Sequence, residues 1–483
     1  MIYFDEDSDA RYFQVEAGTM THKHLDNILA NLSKTSIEVY IVGINAQFAC
    51  FRNHAIESYL DDFDIRLGMN QPALRGNQEA WAYRRRANMA VLEAQGIDSN
   101  AYLIEGTRKL GKAAWIDIRM NDMHDGHDEN SQLHTNFWRN HPELRIPGNI
   151  PCENGFDYSH ARVRSMFTDF IVEAFEKYHP DNILLDWMRW PTFFPRGTGR
   201  KRAHLITEML KDIRSRIGRP LACRVPITQK SAEQLGLDVS AWVKEGILSH
   251  LFLGNFSLAS TYDVPVEQWR QTVGRIPIIV TLDNSWMEGL DIPHESNHFS
   301  VEEARGIAAA AYWRGADGIQ LFNVMIMLGE LPPEQRKGMY LHSDTNFEAV
   351  KWGQVVLNEL QDPRKLYSLP RRVRPGWNDS EIPLGDLDQI FRVPGYLEKW
   401  RKTHSAPEGT LPQTKPTTWK LWTAKAPDHD VRLVTDAAGR ILVNGHEVFG
   451  TSPIRIPAEY LRNGVTEIQT ESFVSKLYME LQG

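Results

Sequence analysis

Residues 161–191 read ARVRSMFTDFIVEAFEKYHPDNILLDWMRWP, and the fold turns on them. In the first part Val163, Met166, Phe167, Phe170, Ile171 and Ala174 recur at three- and four-residue spacing, the apolar stripe of a helix over Ala161 to Tyr178. Then Asn182–Met188 forms a short apolar run of strand length, as in a strand buried on both faces. A helix feeding straight into a buried strand is half of a βαβ crossover, which pairs its strands in parallel.

Working outward, the same alternation covers residues ~20 to ~325. Helices are predicted over His22–Asn31, Trp81–Gln95, Ala203–Ile217, Val266–Val273 and Val301–Trp313. Strand-like runs lie between them at Glu38–Ile44, Ala113–Met120, Pro220–Val225, His250–Gly254, Ile276–Leu282 and Gly318–Asn323. An eighth strand falls at Ile2–Phe4 or Arg11–Val15. Eight such units imply an α/β fold of the (β/α)8 TIM-barrel type. The rival, an open doubly wound sheet, usually opens on a glycine-rich phosphate turn, and neither GxGxxG nor GxxxxGK[ST] follows any of these runs.

Beyond Met325 the pattern changes. Phe347–Leu360 reads as one more helix, followed by Pro-, Arg- and Lys-rich chain up to about residue 415. Strand patterns then dominate, with hairpin-type turns at Ala437-Ala438-Gly439 and Asn444-Gly445. The expected division is a barrel at 1–345, a helix and connector at 346–365, and a small antiparallel β-sandwich at 366–483, with Lys365–Pro370 offered as its first strand.

The chain has 483 residues, of which 42% are hydrophobic and 24% charged, ordinary for a globular protein and enough for a large core. No stretch approaches the ~18 consecutive apolar residues of a spanning helix, which argues against a membrane protein. The net charge of −8 gives no basic field, so nucleic acid is not an expected partner. The run Arg84-Arg85-Arg86 reads as a solvated or salt-bridged helix face, with an anion contact as the alternative. Cys50, Cys152 and Cys223 are sparse and lack a CxxC, against a disulfide framework or a zinc ribbon. The start has neither a basic n-region nor an apolar h-region. The expected location is therefore cytoplasmic, or secreted or periplasmic with a leader already removed.

In a barrel the chemistry sits at the C-terminal ends of the strands. Strand three ends WIDIRMNDMHD, where Arg119, Asn121, Asp122 and His124 are candidates for substrate contact and a bracing Asp–Arg pair is the bland alternative. Strand four ends LLDWMRWP, and an Asp inside so apolar a run is costly unless paired or functional. Asp186 is therefore a candidate catalytic carboxylate. Trp187, Arg189 and Trp190 follow it as substrate-binding candidates, the tryptophans as stacking surfaces for sugar rings. Strand seven ends TLDNSW, which offers Asp283 as the second carboxylate and Trp286 beside it. Asn255 and Asn323, after strands six and eight, could bind hydroxyls. Two carboxylates among aromatics and amides is the pattern of glycoside hydrolysis. His124 and His127 with Asp122, Asp125 and Asp128 invite a metal reading, but HExxH and the EF-hand spacing are absent, so no metal or cofactor is expected. Arg119, His124, His127, Arg189 and Arg196 near the mouth hint at an acidic glycan.

Several of these strings resemble the glycosyl-hydrolase-like family 10 proteins. They are DYSHARVR at 157–164 before the helix, NILLDWMRWP at 182–191, WIDIRMND at 115–122, GADGI at 315–319, and PRKLY at 363–367 ahead of a β domain. The resemblance implies a TIM barrel acting on a poly- or oligosaccharide. In related retaining glycosidases the acid/base follows strand four and the nucleophile strand seven, usually both Glu. Here the matching ends carry Asp186 and Asp283. That departure keeps open a carbohydrate-binding barrel without catalysis, and His124, His127 and the nearby carboxylates keep open a metal-dependent barrel hydrolase or lyase.

Overall fold

The computed structural model describes residues 1–6, 8, 10–13, 15–75, 80–126, 128–147, 154–254, 260–283, 300–322, 358–375, 418–437, 439–471 and 477–482. Eight parallel strands close into a barrel in sequence order. They are β1 (Ile2–Glu6), β2 (Val39–Gly43), β3 (Ala113–Arg119), β4 (Ile183–Asp186), β5 (Leu221–Val225), β6 (Leu248–Leu253), β7 (Ile278–Asp283) and β8 (Gly318–Phe322). The register closes through Asp5↔Phe322 between β1 and β8. Of the two places expected for the eighth strand, Ile2 onward is the strand. Ala10–Phe13 is a helical turn, since Arg11 folds back to the carbonyls of Ser8 and Gly43 and to Glu6.

The helices Ala161–Tyr178, Val266–Val273 and Val301–Trp313 fall where the periodicity places them. The helix Gly199–Ile217 starts earlier than its apolar stripe. Its Gly199 lies against the backbone at Gln234–Gly236, where a Cβ would come within 2.2 Å of the Gln234 carbonyl.

The floor of the barrel is apolar and aromatic. Tyr3, Trp115, His250 and Phe252 from β1, β3 and β6 meet edge to face at centroid distances of 4.9–6.3 Å. Val39, Ile41, Leu184, Ala222 and Ile279 fill the same layers. This plug is a packed core, so any ligand must reach the barrel from its C-terminal mouth.

The triple arginine departs from expectation. Arg85 and Arg86 are each 1% exposed. The Arg85 guanidinium lies over Tyr59 at 4.0 Å and donates to Gln132, and Arg86 sits between Phe48 and Tyr59 and donates to the Tyr59 carbonyl. Burial pushes the Arg86 pKa down to about 9, with Arg85 adding to the effect. These side chains pack under the β2 loop, and they are not a solvated face.

The C-terminal part is a sandwich of two four-stranded antiparallel sheets. One contains β10 (Thr418–Ala424), β15 (Gly464–Thr470), β12 (Ile441–Val443) and β13 (His446–Val448). The other contains β14 (Ile454–Ile456), β11 (Val431–Thr435), β16 (Leu477–Leu481) and β9 (Arg371–Val373). Its first strand is β9, while Pro363–Leu366 is a helical turn capped by Asp362, which corrects the placement at Lys365–Pro370. Asn444-Gly445 is the expected two-residue hairpin, joining β12 to β13 with φ of 49° and 88°. The turn around residue 437 is not a hairpin, because β11 and β12 belong to different sheets. Of the helix expected over Phe347–Leu360, all but its last residues lies outside the described chain.

Candidate active site at the mouth of the barrel

Strand alternation puts a polar layer above the aromatic plug. Asp5 from β1, Asp117 and Arg119 from β3, Asp186 from β4, Arg224 from β5, Thr281 from β7 and Gln320 from β8 are all buried there. Carboxylates so deep must be paired, protonated or in use. Asp186 is paired: Arg224 Nη1 lies 3.2 Å from its Oδ2, and the Met188 amide donates to Oδ1 at 2.7 Å. Both side chains of the pair are at most 3% exposed. The Arg224 guanidinium in turn lies 4.5 Å over the Phe322 ring.

A second cluster forms the rim. Asp122 accepts from Arg119 Nη1 at 2.8 Å, from the His124 amide at 3.2 Å, and from His124 Nδ1. With Nδ1–H turned to Asp122, His124 Nε2 faces Arg189 Nη2 at 3.3 Å. Burial alone would raise the Asp122 pKa. His124, Arg119 and Arg189 outweigh it and hold the carboxyl well below the usual range. Trp190, half-buried, meets the His124 ring edge to face at 5.3 Å. Beside this rim opens a cavity of about 290 Å³. Its lining includes Arg119, Asn121 and Asp122 together with Phe137, Trp138 and Phe156. Polar groups among aromatic side chains suit a sugar ring or a similar amphipathic group.

Of the residues expected at the site, the structure brings Asp186, Arg119, Asp122, His124, Arg189 and Trp190 to the mouth. Trp187 is corrected: it is fully buried, packed against Tyr158, Phe193 and Trp242 on the outer side of β4, and serves the core. Asn121 lines the cavity and is held in place at the same time. Its Oδ1 accepts from the Phe156 amide and its Nδ2 donates to the Phe156 and Thr192 carbonyls, so it braces two loops. Asn255, Trp286 and Asn323 lie outside the described residues. Asp283 ends β7 by its backbone, paired with Phe322. His127 lies outside too, and among the described residues no cluster of three metal-ligating side chains forms. Cys50 and Cys223 are buried and outside any disulfide, while Cys152 is not described. No helix among the described residues is long and apolar enough to cross a membrane.

Three polar positions at the mouth escaped the sequence reading. Asp5 and Gln320 are joined across β1 and β8, Gln320 Nε2 donating to Asp5 at 2.7 Å. Asn45, just after β2, holds both backbone groups of Arg119 at 3.1 Å. The signal for Asp5 was available in YFDE at 3–6, an acid inside an apolar run, but only the strand order shows that β1 closes the barrel.

No family model matches the chain, and no curated protein matches its sequence. Solved structures similar to it include a maltogenic α-amylase from Thermotoga neapolitana, at 10% identity and a TM-score of 0.40, covering 100% of this chain and 99% of that one. An α-amylase from Geobacillus thermoleovorans complexed with acarbose follows at 11% and 0.41, covering 98% of each chain. The PgaB glycoside hydrolase domain from Bordetella bronchiseptica stands at 9% and 0.40, covering 71% of this chain and 99% of that one. Scores this low add nothing to the barrel already visible in the strand pairing, so function has to come from the side chains.

Proposed function

We propose that the chain is a glycoside hydrolase, cleaving a glycosidic bond in a poly- or oligosaccharide at the C-terminal mouth of its barrel. The observation that carries this is the carboxylate layer Asp5–Asp117–Asp186, set over a closed aromatic floor and beside a cavity lined in part by Phe137, Trp138, Phe156 and Phe167. Glycosidic cleavage needs two carboxyl groups with different duties, one donating a proton and one acting as nucleophile or base. Asp186, at the end of β4, is oriented by Arg224 and the Met188 amide. A carboxylate held by a guanidinium suits the nucleophile or base role. Asp283, at the end of β7, is the proposed partner. The Asp122–His124–Arg189 cluster and Trp190 would contact substrate hydroxyls and ring faces. Membership of glycosyl-hydrolase-like family 10 is part of this proposal and rests on the segments 115–122 and 157–191.

Arg119, His124 and Arg189 converge on the single carboxylate of Asp122, which leaves this cluster net positive and keeps an acidic glycan beside neutral ones among the substrates to try. One observation favours a second reading, a barrel that binds glycan without cleaving it: both oxygens of Asp186 already have partners. Asp186→Asn and Asp283→Asn decide between them. Under the hydrolase reading each lowers kcat by at least about 100-fold, the scale of a lost acid–base group. Glycan binding without turnover, unchanged in both variants, would support the second reading.

A further inference from the structure

Asp5 is wholly buried on β1, in the layer that holds Asp117 and Asp186. Its Oδ2 accepts from Gln320 Nε2 at 2.7 Å. Gln320 is turned that way by Thr281, whose hydroxyl donates to Gln320 Oε1 at 2.6 Å. Oδ1 is buried and has no hydrogen-bond partner among the described residues. An ionised carboxylate in that position would leave a full acceptor oxygen unmet, a costly arrangement.

The charges around it give the same answer. The groups acting on Asp5 are Asp117 and Arg119 from β3, Asp186 from β4 and Arg224 from β5. Gln320 and Thr281, from β8 and β7, are neutral. Arg119 is paired with Asp122 and Arg224 with Asp186. Among the described residues no ion pair reaches Asp5 itself. A third carboxylate in one buried layer, without its own cation, is a site for a proton.

We propose that Asp5 carries a proton at neutral pH on Oδ1, so that no third negative charge stands in the layer of Asp117 and Asp186, and that it acts in this way as a positioning residue for Asp186. A protonated carboxyl is one O–H donor plus an acceptor. Oδ2 then takes the Gln320 amide while Oδ1 becomes a donor. The proton stays on Asp5, so no bond to substrate forms or breaks through it. Burial, with Asp117 and Asp186 adding and Arg224 and Arg119 opposing, pushes this carboxyl well above the ordinary carboxylate range.

The sign of the stability effect follows. A carboxyl whose folded pKa is raised stabilises the native state below its unfolded value of about 3.9, and that contribution is lost as pH rises toward the folded value. Asn reproduces the neutral acid without the cost of protonation. Asp5→Asn should therefore have a thermal midpoint at or above wild type at pH 7–8, with the difference closing as pH falls toward 4. The infrared difference between wild type and Asp5→Asn at pH 7 should show the C=O stretch of a protonated carboxyl, shifted in D2O. A missing band, with a variant whose deficit grows as pH rises, overturns the proton on Asp5. If Asp5→Asn does not fold, Thr281→Val frees the Gln320 amide to turn. The same band moves if Asp5 carries the proton and stays fixed if another group does.

The positioning role rests on the hydrolase reading. There Asp5→Asn should move the alkaline limb of the kcat–pH profile, where wild-type Asp5 ionises and Asn cannot, and an unmoved alkaline limb overturns the role. A wild-type protein inert on every glycan overturns the reading of Asp186, and the infrared band still decides the proton on Asp5.

Discussion

Asp122 and Asp5 lie at one end of the barrel and titrate in opposite directions. Asp122 is held low by His124, Arg119 and Arg189. A depressed folded pKa stabilises the native state above the unfolded value, about 3.9, and that contribution is lost as pH falls through the lowered folded value. Asp122→Asn leaves Arg119 buried without its partner, which should cost about 3–5 kcal/mol at neutral pH. Thermal melts from pH 7 down should show the gap to wild type narrowing below about pH 4. A gap independent of pH would contradict the ion-paired account of Asp122. The fate of the tryptophans shows why residue-scale reading has limits. Trp187 and Trp190 are three residues apart in one motif, yet Trp187 points away from the barrel axis into the core and Trp190 meets His124. Alternation places Asp186 inward and Trp187 outward, so the two neighbours serve different sides of β4. Trp187→Ala should destabilise by about 3–5 kcal/mol, the cost of an emptied aromatic core site. Measured at a temperature where the variant is folded, KM should be unchanged; a KM effect without a stability loss would return Trp187 to the site.

Elements were legible where they are long and periodic. The helix at Ala161–Tyr178 and seven of the strands follow from side-chain spacing, because burial on one face or two is written directly into the order of apolar residues. What spacing does not contain is pairing. The stretch from Val431 to Val448 reads as consecutive hairpins, yet only Asn444-Gly445 makes one, since β11 and β12 join different sheets. The carboxylate layer had the same difficulty: Asp117 and Asp186 were visible in their strands, and Asp5 joined them only when β1 paired with β8. The element that seats β1 is Gly43 on β2. A Cβ there would come within 2.7 Å of the Glu6 carbonyl and 2.8 Å of Ser8 Cα, both backbone atoms that cannot yield without moving the end of β1. Gly43→Ala should therefore lower the thermal midpoint and also shift the Asp5 infrared band. A variant as stable as wild type would show that β1 has more freedom than this packing allows.

At the scale of the whole molecule, the sandwich is seated on the helix Val301–Trp313. A Cβ on Gly306 would meet the Arg372 carbonyl at 2.0 Å, so only glycine lets the β9 backbone lie that close. Arg374 pairs with Glu303 at 2.5 Å in a buried setting. Arg314 lies 3.9 Å over the Trp422 ring while paired with Asp263 and Glu267. Trp422 Nε1 donates to the same Asp263 at 2.9 Å. These contacts make the sandwich a brace for the barrel. Gly306→Val should split a single unfolding transition into two in calorimetry, and an unsplit transition at the wild-type temperature would refute the brace. The barrel's central claim is chemical, and the most direct measurement is sugar release. Purified protein and Asp186→Asn, matched for thermal midpoint, are incubated with a panel of neutral and anionic poly- and oligosaccharides, and products are read by chromatography. The carboxylate layer predicts released sugar from at least one glycan with wild type and none with the variant. Equal release by both proteins, or no release by wild type across the panel, would contradict it.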